Sequence, residues 1–277
     1  MDAEFYPLMT GRVTGGTMHT EDKGGLKLIR FDCFTGLPGL SCAVSTRQGG
    51  VSEGSFKGLN LCSANGDSAE NVEANLALFC EALGAEPARL ERMRQRHTAN
   101  VAVVEGGGGV PPDNTDALIT AVPGVPLLAL SADCALTAFY DNERRVLAVV
   151  HSGWRGAFLN IYSAVLSVMR LRFGTVPGDV IAGISPMISA AHYPVRGDFL
   201  EKLKAFYPDG AERRFLGLKD GLHFFNLREL LREQLGSLGV KNHEFMHLCT
   251  FAEKDMFYSW RRDGEKTGRF GLMAMIK

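Results

Sequence analysis

The apolar residues of this chain fall into two rhythms. Six short stretches, LSCAVSTR (40–47), NVAVVE (100–105), DALIT (116–120), VPLLALSA (125–132), RRVLAVVH (144–151) and DVIAGIS (179–185), read as strands, and several are apolar with little alternation. That pattern predicts strands covered on both faces, because a strand with one wet face alternates. Three longer stretches instead repeat their apolar residues every three or four positions. In residues 68–84, Val72, Leu76, Phe79 and Leu83 form one stripe, with Asp67 or Ser68 as the cap and Gly84 as the stop. Cys80 falls on the same stripe and is expected to be a small buried hydrophobe. Residues 156–174 align Phe158, Ile161, Val165 and Val168 before Gly174, which predicts one continuous helix. Residues 226–240 align Leu227, Leu231, Leu235 and Leu238 between the cap Asn226 and the stop Gly239.

These helices are too few for a repeating βαβ barrel, so the pattern predicts an α/β or α+β sandwich: a mixed sheet covered by helices. The one strong breaker, EGGGGVPPDN (Glu105–Asn114), reads as a surface loop because strand-like runs resume on both sides. The expected organisation is a flexible N-terminal tail over residues 1–22 and a single domain over residues 23–277. The segment Arg261–Arg269 (RRDGEKTGR) reads as a hairpin turn with charged flanks, for which a structural role is weighed at least equally with substrate contact.

Composition narrows the class. The chain has 277 residues, 45% hydrophobic and 22% charged, with a net charge of −1 and a pI near 6.7. That balance leaves no electrostatic footprint for nucleic acid or an anionic membrane. The longest apolar run, Val125–Tyr140, contains Asp133 and is too short to span a bilayer. The N-terminal region lacks the basic start and apolar core of a secretory signal. The six cysteines, Cys33, Cys42, Cys62, Cys80, Cys134 and Cys249, are scattered without a CxxC pair, which suits reduced thiols. A cytoplasmic protein is expected. No leftover amphipathic stripe demands a partner, and the oligomeric state is left open.

Two apolar runs carry groups that do not belong in a dry interior. VVHSGWRGAF (149–158) ends a strand on His151, and LLALSADCALTAFYD (127–141) is interrupted by Asp133 and Cys134. His97 stands just before the strand NVAVVE. Singly, each such residue is more often structural. Together, His97, Cys134 and His151 sit at the edges of apolar segments, where a rigid sheet can hold side chains on a common rim. Two imidazoles and one thiolate form a three-ligand set for zinc, with the fourth position open to water or substrate. The two glycines of SGWRG allow close approach, and the helix that follows is expected to aim its N-terminus at the site. Arg155 offers a fork for carboxylate or phosphate, or a structural ion pair. His243, His247 and Cys249 are close in sequence but are expected in a strand or loop rather than as a second metal set.

The motifs QRH, ADC and HSGWRG, the early TRQGGVSEG, GLNL and NGDSAENVEAN, and the late CTF and MFYSWRRDGEKTGR resemble the YfiH/laccase-domain family, from about Ser45 to Arg269. The resemblance implies a YfiH-like mixed α/β sandwich, similar to certain cysteine-dependent toxin domains. It implies a zinc site at His97, Cys134 and His151, and a substrate contact at Arg47 for phosphate or ribose oxygens. It also implies phosphorolysis of purine nucleosides (adenosine, inosine, guanosine and methylthioadenosine) by inorganic phosphate, with adenosine deaminase activity. The chain departs from the family pattern at Leu136 (often proline), Ser185 (glycine), His192 (cysteine), Leu76 (arginine) and Asn226 (aspartate). All but the last are expected to alter the rim of the site.

Two other chemistries use the same residues. Cys134 as nucleophile with His151 as base would make a hydrolase or amidase, including an editor of cell-wall precursors. A multicopper oxidase is disfavoured, because the seven histidines include no HxH pair. One adventitious copper in the His/Cys site would account for slow phenol oxidation. A pure binding module would leave an open three-ligand site idle.

Overall fold

The computed structural model describes residues 19–277. Most of the expected tail, residues 1–18, lies outside the described residues. Its last four positions are instead part of strand β1 (His19–Lys23), which pairs antiparallel with β2 (Leu26–Arg30). The strand β3 (Leu40–Ser45) follows, and then the helix α1 (Ala69–Leu83). Ser68 caps α1 by accepting from Asn71 N, and Gly84 closes it in a left-handed conformation, as its sequence predicts. The middle of the chain gives β4 (Val101–Val103), β5 (Ala117–Thr120), β6 (Leu127–Ser131), β7 (Ala135–Asp141) and β8 (Val146–Ser152).

The expected single helix after β8 is broken in two, α2 (Trp154–Phe158) and α3 (Ile161–Phe173). Asn160 makes the break: its φ is 54°, and its side chain caps α3 by accepting from Ser163 N. Next come β9 (Val180–Ile184), the two-residue β10 (Pro194–Val195), α4 (Gly197–Phe206), α5 (Ala211–Phe215), β11 (Leu216–Lys219) and β12 (Leu222–Phe225). The chain closes with α6 (Leu227–Ser237), β13 (Asn242–Phe245), α7 (Trp260–Asp263) and β14 (Phe270–Ile276). The segment expected to be a hairpin turn at Arg261–Arg269 is therefore a helical turn leading into a buried strand.

Two large sheets stack. One is five-stranded, β1-β2-β3-β14-β6, and antiparallel throughout. The other is six-stranded, β13-β9-β7-β8-β5-β4, and mixed: β13/β9 and β4/β5 are its parallel pairs. A three-stranded sheet, β10-β12-β11, stands apart. Strand alternation assigns side chains to layers. Leu272, Ala274 and Ile276 of β14 meet Leu136, Ala138, Leu147 and Val149 between the sheets. Met273 and Met275 point the other way, onto Val72, Leu76 and Phe79 of α1. Val146, Ala148 and Val150 of β8 pack against Ile161, Val165, Leu231 and Leu235 of α3 and α6. The order is helix, sheet, sheet, helices, a mixed-sheet sandwich. Both β7 and β8 are buried along their whole length, which explains why they carry no alternation.

The Val125–Tyr140 run turns out to be two strands in different sheets. The chain leaves the five-stranded sheet at the end of β6 and enters the six-stranded one at β7. Asp133, at φ 105°, makes the corner. Its carboxylate is spent holding that corner, accepting from Thr250 Oγ1 at 2.6 Å and Arg261 N at 2.7 Å. The departures from the family pattern at Leu76 and Leu136 are core packing positions, and Ser185 is buried too, so these three do not form a rim.

Candidate metal centre

The two interrupted runs meet because β7 and β8 are the arms of one antiparallel hairpin. Its register sets Ala135 opposite Ser152 and Leu136 opposite His151. Cys134 thus lies just beyond the open end of the hairpin, across from Gly153, with His151 one step inside. His97 arrives from the loop before β4, and Asp116, immediately before β5, fixes that loop. The Asp116 carboxylate accepts from the backbone N–H groups of Arg96 (3.1 Å), His97 (3.1 Å) and Thr98 (2.8 Å), and from Thr98 Oγ1 (2.9 Å). His97 itself sits at φ 61°, a backbone cost that these bonds offset.

The donor atoms of His97, Cys134 and His151 lie within 4.8 Å of one another. Donors sharing one ion at about 2.0–2.3 Å stand within about 4.6 Å of each other, so a single metal asks this cluster to close by no more than a few tenths of an ångström. His151 Nδ1 is taken by Asp116 Oδ1 at 2.8 Å, which leaves Nε2 for the centre. His97 Nδ1 is buried without a hydrogen-bond partner. Gly153 is required here by space rather than by its φ of −82°: a Cβ would sit 2.8 Å from both Cys134 Sγ and His97 Nδ1. The orphaned nitrogen and the missing Cβ both fit an ion held at this point. His151 is buried, whereas His97 and Cys134 are half-exposed, so the cluster opens to solvent on their side. No other group of three such donors lies together among the described residues.

Charge organises the metal-free centre. Burial opposes the Cys134 thiolate, but the imidazoles of His151 and His97 outweigh it and bring the thiol down to about 6. Burial likewise opposes a charged His151, yet the Cys134 thiolate and the Asp116 carboxylate raise it to about 9. Burial also opposes the Asp116 charge, and its bonds to His151 and to the loop amides hold it near 2.

Other expected groups stand elsewhere. Arg47 lies over the Tyr258 ring at 4.5 Å and donates to the carbonyls of Lys254 and Lys57, with no hydrogen bond to the three donors among the described residues. Arg155 stacks on Trp154 at 4.4 Å and makes no ion pair among the described residues. The helix after the SGWRG turn has only five residues, so its dipole is far weaker than a long helix would supply. His243, His247 and Cys249 bind different partners: Val240 O, Arg228, and the Ser189 N–H with His192. Asp116 escaped the sequence reading, although a lone carboxylate at the head of DALIT, an otherwise buried strand, was the available signal.

A layered mixed-sheet sandwich, with one open cluster of two imidazoles and a thiolate at the mouth of a buried hairpin, frames a candidate single-site metal centre. The chain belongs to the family described as multi-copper polyphenol oxidoreductase laccase, which matches residues 41–277. It is 33% identical to a protein of Bacteroides thetaiotaomicron named purine nucleoside phosphorylase, over 93% of this chain and 98% of that one. A Haemophilus influenzae protein of the same name is 30% identical, over 84% of this chain and 93% of its own. Among solved structures, YlmD from Geobacillus stearothermophilus superposes with a TM-score of 0.86 at 26% identity, covering 94% and 98% of the two chains. The Bacillus licheniformis hypothetical protein YfiH gives 0.85 at 27% identity, over 93% and 99%. The YfiH-like fold and family expected from the motifs are therefore those of this chain. No helix among the described residues is long and apolar enough to cross a membrane.

Proposed function

We propose that this protein is a zinc-dependent purine nucleoside phosphorylase with adenosine deaminase activity. Its substrates are adenosine, inosine, guanosine or methylthioadenosine together with inorganic phosphate, and it works in the cytoplasm. The observation that carries the reading is the orphaned His97 Nδ1. A buried ring nitrogen with no hydrogen-bond partner, beside the same Gly153 as Cys134 Sγ, is a cost in a metal-free centre and a ligand in a metal-bound one. Two imidazoles, a thiolate and an open side suit zinc, while copper competes for the same donors as an adventitious ion. The relatives named purine nucleoside phosphorylase support the substrate class.

In phosphorolysis a phosphate oxygen bonds to the anomeric carbon of ribose as the C–N bond breaks. The bonding pair leaves with the purine nitrogen, giving free base and ribose 1-phosphate. In deamination water replaces the amino group of adenosine, which leaves as ammonia. When bound, the ion supplies a fixed positive charge that polarises a substrate oxygen or activates a water. His97, Cys134 and His151 hold it. Asp116 fixes the His151 ring and, through the loop amides, the position of His97. Arg47 contacts outer oxygens of the substrate.

A second reading draws on the line Cys134–His151–Asp116, which resembles a nucleophile, a base and an orienting acid. It makes the protein a hydrolase or amidase, including one that edits cell-wall precursors, but it leaves His97 Nδ1 buried without a hydrogen-bond partner. The deciding experiment gives zinc-loaded protein adenosine with and without inorganic phosphate, before and after chelation. Adenine and ribose 1-phosphate, formed only with phosphate and lost on chelation, are the expected result, with inosine marking deamination. Activity that survives chelation and dies on thiol alkylation transfers the case to the hydrolase. Neither product removes the nucleoside reading.

A further inference from the structure

A half-buried arginine with no acidic partner among the described residues stands beside the Cys134 corner. Arg269 immediately precedes β14, whose first residue, Phe270, pairs with Ser131 at the end of β6. Ser131 Oγ in turn donates to Cys134 O at 2.7 Å, so Arg269 adjoins the turn that delivers the thiolate. Its backbone is clamped from one side: its N–H donates to Asn60 Oδ1 at 2.8 Å, and its carbonyl accepts from Leu61 N at 3.1 Å.

The guanidinium is anchored along one edge only. Nη1 donates to the carbonyls of Thr267 and Gly268, both at 2.9 Å. Nε and Nη2 make no hydrogen bond, and no carboxylate pairs with this cation, among the described residues. Asp133, the nearby acid of the corner, already accepts from Thr250 and Arg261. Burial disfavours the Arg269 charge, and the negative charges of Cys134 and Asp133 act in its favour, which puts the guanidinium within electrostatic reach of the centre. The free Nε–Nη2 edge is the side-on fork of an arginine, the arrangement that grips two oxygens of one phosphate. A partly buried cation without an acid is costly unless an anion completes it. Arg47 differs, because both of its Nη atoms are committed to main-chain carbonyls.

We propose that Arg269 binds the attacking inorganic phosphate at this centre, through the free Nε–Nη2 edge of its guanidinium. The assignment rests on the phosphorylase reading for the identity of the anion. Its geometric basis, the fork beside the Cys134 corner, is independent of that reading.

The test measures inorganic phosphate binding to zinc-loaded protein by calorimetry, and the phosphate and adenosine KM values separately, in wild type, Arg269→Gln and Arg269→Lys. Loss of a charge-assisted fork weakens phosphate binding by about 10- to 100-fold in Arg269→Gln. Arg269→Lys, which keeps the charge and loses the fork, falls between. The adenosine KM and the bound zinc stay at wild-type values. If Arg269→Gln fails to fold or loses zinc, Arg269→Lys decides on the same readouts. Phosphate affinity and phosphate KM that do not move in a folded, zinc-loaded variant overturn the inference while leaving phosphorolysis intact. Wild-type protein that does not bind phosphate also overturns it. Arg269-dependent phosphate binding in a protein that does not cleave adenosine keeps the anion site and removes the phosphorylase reading.

Discussion

Replacing Asp116 by asparagine alters the chemistry of one atom, so its consequences separate charge from shape. The carboxylate is surrounded by donors: His151 Nδ1 and His97 N on one oxygen, Arg96 N, Thr98 N and Thr98 Oγ1 on the other. An amide NH2 must face one of those sets, and in either it meets backbone N–H groups that cannot accept a hydrogen bond. Asp116→Asn is expected to lower zinc affinity by about 10- to 100-fold, read by competition with a chromophoric chelator. Unchanged affinity would show that His151 needs no orienting carboxylate. The same triad sets a proton count. With Cys134 lowered to about 6 and His151 raised to about 9, the metal-free protein at neutral pH holds a thiolate and a protonated imidazole. An ion taking both therefore displaces about one proton, from His151, and calorimetry in buffers of different ionisation enthalpy measures it. Apparent affinity falls further below pH 6, where Cys134 also binds a proton, and levels above pH 9. At this scale the donors were legible because histidine and cysteine are conspicuous in apolar runs, and the close approach at Gly153 because of the glycines of SGWRG. The role of Asp116 was not, since it depends on contacts between segments remote in sequence.

Elements explain why two interruptions in different runs became neighbours. Apolar runs gave β3, β4, β5, β6, β8 and β9 to within a few residues, but a run buried on both faces carries no mark of register or sheet membership. Hence the crossing from β6 to β7 at Asp133 was not visible. The break at Asn160 was hidden because Phe158 and Ile161 keep a helical spacing across it. The short strands β10, β11 and β12 lack the length or contrast to be read, whereas α4 is amphipathic and was missed. One element-level coupling ties two departures from the family pattern together. Leu136, where proline is common, has an N–H, and Ser185, where glycine is common, supplies its acceptor: Ser185 Oγ takes that N–H at 2.9 Å and donates to Pro186 O at 2.9 Å. Ser185→Ala leaves a buried donor at the edge of β7 and is expected to cost about 1–3 kcal/mol by chemical denaturation. In a Leu136→Pro background no donor remains to strand, so the same substitution costs markedly less there. Additive costs in that cycle would exclude the coupling.

At the scale of the whole molecule the centre joins three parts of the sandwich: the loop before β4, the corner between the two large sheets, and the end of β8. The layers were legible, since unbroken apolar runs and amphipathic helices leave few alternatives to sheets covered by helices. The last strand, β14, was not read, although it lies inside the five-stranded sheet and bridges β3 to β6. An ion bound only by the folded protein stabilises it in proportion to the logarithm of free ion over Kd. At a free zinc concentration of about 1,000 times Kd, that is about 4 kcal/mol. For a chain of this size the gain corresponds to a rise in Tm of roughly 8–16 °C. Chelation should lower the melting temperature of the wild type by that order, and zinc should restore it. Cys134→Ser should melt near the chelated wild type and respond little to either treatment, because a serine oxygen is a poor substitute for a thiolate. A wild-type melting temperature indifferent to chelation and to added zinc would mean that the three donors hold no ion in the folded protein, and the hydrolase reading of Cys134 and His151 would take precedence.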